Sequence, residues 1–255
     1  MSEEFPSLNE FFPGGVLFQG TPFEMNRIIL IRVFMTLVLV ILFWLGTRNL
    51  RLVPSKRQSV IELALDFVRV NIVEETLGKK DGRRFLPLLT SIFFAIFAFN
   101  ITGIIPGFNI AASSIIGLPL VFALIAYAAF IYAGVKKAPI GFWRNSLFPS
   151  GVPWWLYPLV TPIELLSTFV IRPITLTLRL LMNMVVGHLL LVLLFAATHF
   201  FLLGGAGAAF IPLGAGTLAF GFVFTLFEIL VAFLQAYVFT ILTTVYIQLA
   251  LADEH

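Results

Sequence analysis

The chain has 255 residues, 60% of them hydrophobic and 11% charged, with a formal net charge of +3, no cysteine and a mean hydropathy of +1.02. A soluble domain carries about 25% charged residues, so this chain has too little polar surface to cover itself in water, and a disordered chain needs the opposite balance. Disulfide frameworks, cysteine nucleophiles and thiolate metal sites are excluded, and His188, His199 and His255 are too few and too scattered for a metal site.

In chain order, the tail before Arg27 carries Glu3, Glu4, Glu10 and Glu24 and no Lys or Arg. The first apolar run, residues 28–46, is long enough to cross a hydrocarbon core of about 30 Å. Its one charge, Arg32, lies near the outer end, where a long side chain snorkels. The run is too long, and its upstream flank too acidic, for a cleaved signal peptide. Nine Lys and Arg residues then fall between Arg48 and Arg84. Within that stretch, residues 55–77 place Val60, Leu63, Ala64, Phe67, Val70 and Ile72 near helical spacing with most charges elsewhere. That predicts an amphipathic helix lying on the membrane surface. A second run, 85–105, is closed by Pro106-Gly107, and a third, 115–135, by Lys136-Lys137. The basic residues flank hydrophobic spans and form no separate domain, so a nucleic-acid partner is not expected. The positive-inside rule places 48–84 and the Lys136, Lys137, Arg144 cluster in the cytoplasm and the tail 1–27 outside.

Residues 146–171 are apolar but carry Pro149, Pro153, Pro158 and Pro162, with Pro173 following. Such a stretch reads as a re-entrant or interfacial element; were it to span instead, the last two helices would invert. From Pro173 to about Leu203 run roughly 30 helical residues, then a glycine-rich turn from Gly204 to Gly216, then about 34 more over 217–250, giving helices on the order of 45 and 50 Å long. Both exceed the bilayer and must tilt or protrude. The expected fold is an all-α membrane protein of about five transmembrane helices plus the surface helix. Its last two helices form a long, tilted hairpin over 173–250, and the C-terminus lies inside.

From Ser146 to Ala252 the chain carries only Glu164, Arg172, Arg179 and Glu228 as charges. An ionisable group at bilayer depth is a functional candidate because it is costly there unless paired or hydrated. The plain reading of Arg179 is a buried cation paired with Glu228 or Glu164. A guanidinium does not release its proton at working pH, so Arg179 attracts a carboxylate or blocks a proton path but cannot relay. His188 and Glu228 are of the titratable types. His188 follows Arg179 by nine residues, about 900° of helical rotation, so the two occupy opposite faces, while Asn183 at i+4 shares the arginine's face. Glu228, Gln235 and Tyr246 fall at spacings of seven and eleven on nearly one face, either a hydrated path or a polar helix–helix contact. For Gln235 alone, an interhelical hydrogen bond is as good a reading. His199 reads as interfacial. Glu164 and Arg172, eight apart, read as a structural pair near the cytoplasmic face, with lining of an aqueous path as the alternative. The pattern points to proton movement interrupted by a positive barrier.

Around these residues the chain resembles subunit a of the F-type ATP synthase. The family pattern is a Glu, then Arg-Pro, a hydroxyl residue and Leu, then Leu-Arg-Leu-x-x-Asn-Met-x-x-Gly-His. The chain reads Glu164, Arg172-Pro173-Ile174-Thr175-Leu176, then Leu178-Arg179-Leu180-Leu181-Met182-Asn183-Met184-Val185-Val186-Gly187-His188. The last helix adds Phe227-Glu228, Ala232-Phe233-Leu234-Gln235-Ala236-Tyr237-Val238-Phe239, Leu242-Thr243 and Tyr246, and Asn100-Ile101-Thr102-Gly103-Ile104-Ile105-Pro106 is a weaker match. Leu181-Met182 departs from the Phe-Gly or Phe-Ala often found after Leu-Arg-Leu, which bears on packing against a partner.

The resemblance implies a stator subunit. Arg179 would face a rotor ring of c subunits, attract each ring carboxylate and keep two offset aqueous half-channels apart. His188 and Glu228 would serve the half-channel open to the outside. Asn183 and Gln235 would sit near the arginine, with Tyr246, Thr175, Glu164 and Arg172 as lesser proton-path candidates. Partners would be the c-ring, b-type peripheral stalk subunits, the rest of the complex, membrane lipid and the translocated proton, in the bacterial cytoplasmic membrane rather than an organellar one. No cofactor or metal is implied. The chain lacks Gly-x-x-x-x-Gly-Lys-Ser/Thr, so the catalytic head lies elsewhere. Two other readings compete. A self-contained transporter predicts inverted repeats and a midplane substrate site, and no internal repeat is found. A non-transporting scaffold predicts that Arg179 merely pairs with an acid.

Overall fold

Within a bilayer only a helix satisfies every backbone N–H and C=O inside one segment, and helical backbone follows the apolar runs. The computed structural model describes residues 15–17, 25–48, 55–105, 113, 115–139, 141–143, 154–203 and 207–252. The four tail acids, Pro106-Gly107, Arg144, Pro149, Pro153, Gly204 to Ala206 and His255 lie outside the described residues.

Two short strands, β1 (Gly15–Leu17) and β2 (Met25–Asn26), pair antiparallel ahead of the first span. Asn26 Oδ1 then accepts the backbone N–H of Ile29 at 3.0 Å, starting helix α1 (Arg27–Thr47) as an N-capping side chain does. Helix α2 (Lys56–Val68) is capped by Ser55, whose hydroxyl accepts the N–H of Gln58 at 3.4 Å. It continues through a wide π-helical turn, Arg69–Glu74, across which the Arg69 Nε donates to the Glu74 carboxylate at 2.7 Å. Val68, Ile72 and Val73 are buried, while Val60 and Leu63 are exposed. That division suits a surface helix with one flank on the protein and another in the acyl–headgroup boundary. Helix α3 (Glu75–Ile101) carries a sharp kink at Gly78, where φ is 72° and ψ is 172°. Only glycine adopts that backbone readily, so the kink separates residues 55–77 from the apolar run that follows.

Helix α4 (Gly117–Lys137) ends on Lys136 and Lys137, cations that complement its C-terminal dipole. Helix α5 (Tyr157–Leu166) passes through a π turn, Ser167–Ile171, into α6 (Arg172–Leu202), and α7 (Ile211–Leu251) closes the chain. Among the described residues, five helical stretches are long and apolar enough to cross a membrane: Arg27–Thr47, Gln58–Ile101, Gly117–Lys137, Tyr157–Leu202 and Ile211–Leu251. With the short ribbon aside, the chain is the all-α membrane protein expected.

Two expectations need correction. Residues 157–171 form no element separate from the helix beyond Pro173; helical backbone runs on from Tyr157 to Leu202. Pro158 sits at the helix start, where its missing N–H costs nothing. Pro173 follows the π turn, in which the Arg172 N–H bonds the Ser167 carbonyl five residues back, and the wider turn relieves the usual clash of a proline ring with the preceding turn. The glycine-rich turn also ends earlier than Gly216, because α7 begins at Ile211. Gly214 is a packing glycine: a Cβ there would meet Leu202 Cδ2 at 2.6 Å.

The chain forms two packed units. The first comprises the described parts of Met1–Leu42, Ala95–Ile115 and Leu181–Gln235. In it the buried Asn100 Oδ1 accepts the Ser113 hydroxyl at 2.8 Å, Thr198 donates to Thr217 at 2.9 Å, and Phe97 meets Phe233 edge-on at 6.1 Å. The second comprises the described parts of Phe43–Phe94, Ile116–Leu180 and Ala236–His255. In it Phe122 packs on Phe239 at 6.5 Å and Trp143 stacks on Phe169 at 5.5 Å. Gln248 Nε2 donates to the Thr76 carbonyl at 2.8 Å, and Lys137 Nζ donates to the Leu251 carbonyl.

Candidate functional site

Helix α6 has two sharply different sides. Leu176, Thr177, Leu180, Met184, Gly187, His188 and Leu191 are buried, whereas Thr175, Leu178, Arg179, Met182, Val186, Leu190 and Leu193 are exposed. The helical period therefore does what the spacing predicted: Arg179 stands on the open side and His188 on the packed side. Arg179 has no ion-pair partner among the described residues, against the reading of a charge already neutralised within the chain.

In the first unit, Glu228 of α7 is only 4% exposed, and its carboxyl group lies directly on Gly187 of α6. A Cβ at position 187 would overlap both carboxyl oxygens and reach the carboxyl carbon at 2.5 Å. Gly187 thus makes the space that Glu228 occupies. Sequence reasoning did not single this glycine out, although a mid-helix glycine is costly by about 1 kcal/mol against alanine and this one directly precedes His188. Gln235 of α7 is buried, and its Nε2 lacks a hydrogen-bond partner among the described residues; the same holds for the Nδ2 of half-buried Asn183. Buried donors are rarely left so. By contrast the buried Thr240, Thr243 and Thr244 each donate to a carbonyl four residues back at 2.8 Å, so they place polar groups in the helix at little cost. The stripe read from Glu228 and Gln235 is thus a packed side of α7, and half-buried Tyr246 continues it.

In the second unit, Glu164 and Arg172 do not form the expected pair. Eight residues separate them along the helix axis by roughly two turns, about 12 Å, and the π turn between them shifts their relative phase. Arg172 instead lies over the ring of Tyr246 with its guanidinium 5.3 Å from the ring centroid, a cation–π contact. Thr175 donates to the Arg172 carbonyl at 2.9 Å. The hydroxyls of Tyr127 and Thr161 are buried without a hydrogen-bond partner among the described residues, and neither was predicted, because a lone Tyr or Thr in an apolar run carries no spacing signal. His199 is exposed near the end of α6. No cluster of three His, Asp or Glu able to hold a metal occurs among the described residues.

The arginine on the open side and the buried acid beside Gly187 sit in the segments that carry family likeness. The profile of the family described as ATP synthase A chain matches residues 29–248. The chain belongs to the ATP synthase A chain family. It is 51% identical to ATP synthase subunit a of Rhodococcus erythropolis, the alignment covering 100% of this chain and 94% of that one. The corresponding protein of Pseudarthrobacter chlorophenolicus is 36% identical over 98% of this chain and 94% of its own. That of Hyphomonas neptunium is 42% identical over 86% and 84%. These family members are named as subunit a, a component of the synthase distinct from its catalytic chain.

Proposed function

We propose that this chain is the proton-translocating stator subunit of a rotary F-type ATP synthase, with Arg179 turned toward the c-ring. The observation that carries the proposal is an arginine on the exposed side of a spanning helix with no counter-ion among the described residues. A cation at that depth is tolerated when something neutralises it, and a carboxylate arriving on a ring of c subunits does so transiently. Arg179 attracts each ring carboxylate in its ionised form and, having no proton to give, separates two offset half-channels. His188 and Glu228, with Asn183 and Gln235, serve the half-channel open to the outside; amide donors that the protein leaves unsatisfied suit a hydrated path. Arg172, Tyr246, Thr175 and Glu164 are the candidates on the cytoplasmic side.

The orientation follows from charge. Lys136 and Lys137 end α4, and Lys137 is hydrogen-bonded to the last turn of α7, which under the positive-inside rule supports a cytoplasmic location for that end and for the C-terminus. The tail 1–27 is then outside, in a bacterial cytoplasmic membrane, and b-type stalk subunits complete the stator.

Because the chain has no cysteine, a single introduced one reports position cleanly. Met182→Cys, one turn from Arg179, forms an oxidative cross-link to a cysteine placed beside the ring carboxylate. The link stops ATP-driven pumping, and a reductant restores it. Tyr132→Cys forms none. An active Met182→Cys complex without a cross-link would overturn the assignment. Gly187→Ala tests the other side of α6. Its methyl displaces the Glu228 carboxyl, and misplacing a reacting group by about 1 Å costs as much as 10²-fold. Passive proton conduction of membranes stripped of the catalytic head therefore falls by about 10- to 100-fold, with the subunit still assembled.

A further inference from the structure

We infer that the end of α4 binds an anionic phospholipid, its phosphate held by Arg84 and Lys136 and an acyl chain laid along the helix. The guanidinium of Arg84, on α3, lies 4.7 Å from the centroid of the Tyr132 ring. Lys136 Nζ lies 5.6 Å from the same centroid and donates to the Tyr132 hydroxyl at 3.4 Å. Two cations from different helices thus converge on one exposed aromatic ring, which holds them in place through cation–π attraction. Neither has a carboxylate partner among the described residues, and Asp81, one turn before Arg84, forms no ion pair with it. From this pair an open groove of about 580 Å³ extends over Ala128, Ile131, Tyr132, Val135 and Lys136, the i, i+3, i+4, i+7, i+8 face of α4.

The two parts match one occupant. Unpaired cations at the end of a spanning helix attract the phosphate of a headgroup. The apolar groove adjoining them suits an acyl chain and gives a free phosphate nothing. A lipid of net negative charge is preferred to a zwitterionic one, whose own cation competes with Arg84 and Lys136. The site is independent of the role of Arg179.

The test uses the whole complex in nanodiscs containing phosphatidylglycerol or phosphatidylcholine with a photoactivatable diazirine on one acyl chain, with adducts mapped by peptide mass spectrometry. Phosphatidylglycerol labels residues 128–136 about fivefold or more above phosphatidylcholine, and each cation removed in Arg84→Gln and Lys136→Gln lowers that labelling about fivefold. Added inorganic phosphate leaves it unchanged. Equal labelling by the two lipids in the unaltered complex overturns the proposal, whatever the variants do. So does labelling that survives the double variant, labelling displaced by inorganic phosphate, or an unlabelled segment covered by another subunit.

Discussion

Arg179→Ala abolishes ATP-driven proton pumping by the purified, reconstituted complex, while the catalytic head continues to hydrolyse ATP. Removing one preorganised electrostatic group from a water-poor site costs about 10²- to 10³-fold in rate, which takes pumping below detection. Global unfolding is not the cause of such a loss, because Arg179 lies on the exposed side of α6 and the buried Leu176, Leu180 and Met184 hold that helix. Arg179→Lys asks a finer question. It keeps the charge and removes the planar, forked donor set, so pumping recovers partly if charge is the main requirement and not at all if the fork is needed. Acidification of proteoliposomes on ATP addition, followed with a pH-sensitive dye, is the measurement. Coupled pumping at the unaltered rate in Arg179→Ala sinks the stator reading and favours the scaffold.

Glu228→Gln slows passive proton conduction about 10²-fold, the usual contribution of a positioned acid–base group. Glutamine has nearly the same shape, so it fills the space over Gly187 without disturbing α6 and α7, and only the ability to titrate is removed. Glu228→Asp retains the carboxyl on a shorter arm and keeps part of the conduction. The readout is the decay of an imposed potential across membranes stripped of the catalytic head, with the amount of assembled subunit measured alongside. Unchanged conduction in Glu228→Gln would mean that the carboxyl serves packing alone.

Much of the molecule is legible in the sequence alone, because the forces that set it are local or periodic. Apolar runs flanked by charge locate the spans, since a span must satisfy its own backbone. The π turn at Ser167–Ile171 escaped this reading. Pro158 and Pro173 each argue for a break by themselves, and the helix start at the one and the widened turn before the other let the helix continue, with Pro162 inside it. Gly214 misled in the same way: glycine marks a turn and a close contact equally well, and the approach of Leu202 decides between them.

By itself the sequence determined the apolar runs that the long helices follow, the helical spacing of residues 55–77, and the opposition of Arg179 and His188 on one helix. Periods of 3.6 residues and the cost of charge in lipid act within a single segment. Only the tertiary structure decided that Gly187 is the seat of the Glu228 carboxyl and that Arg172 turns to Tyr246 and not to Glu164. It also brought Arg84 and Lys136 onto one ring. Each of these contacts joins residues that are distant in sequence, and which distant side chains meet depends on how helices pack, information that no single helix period contains.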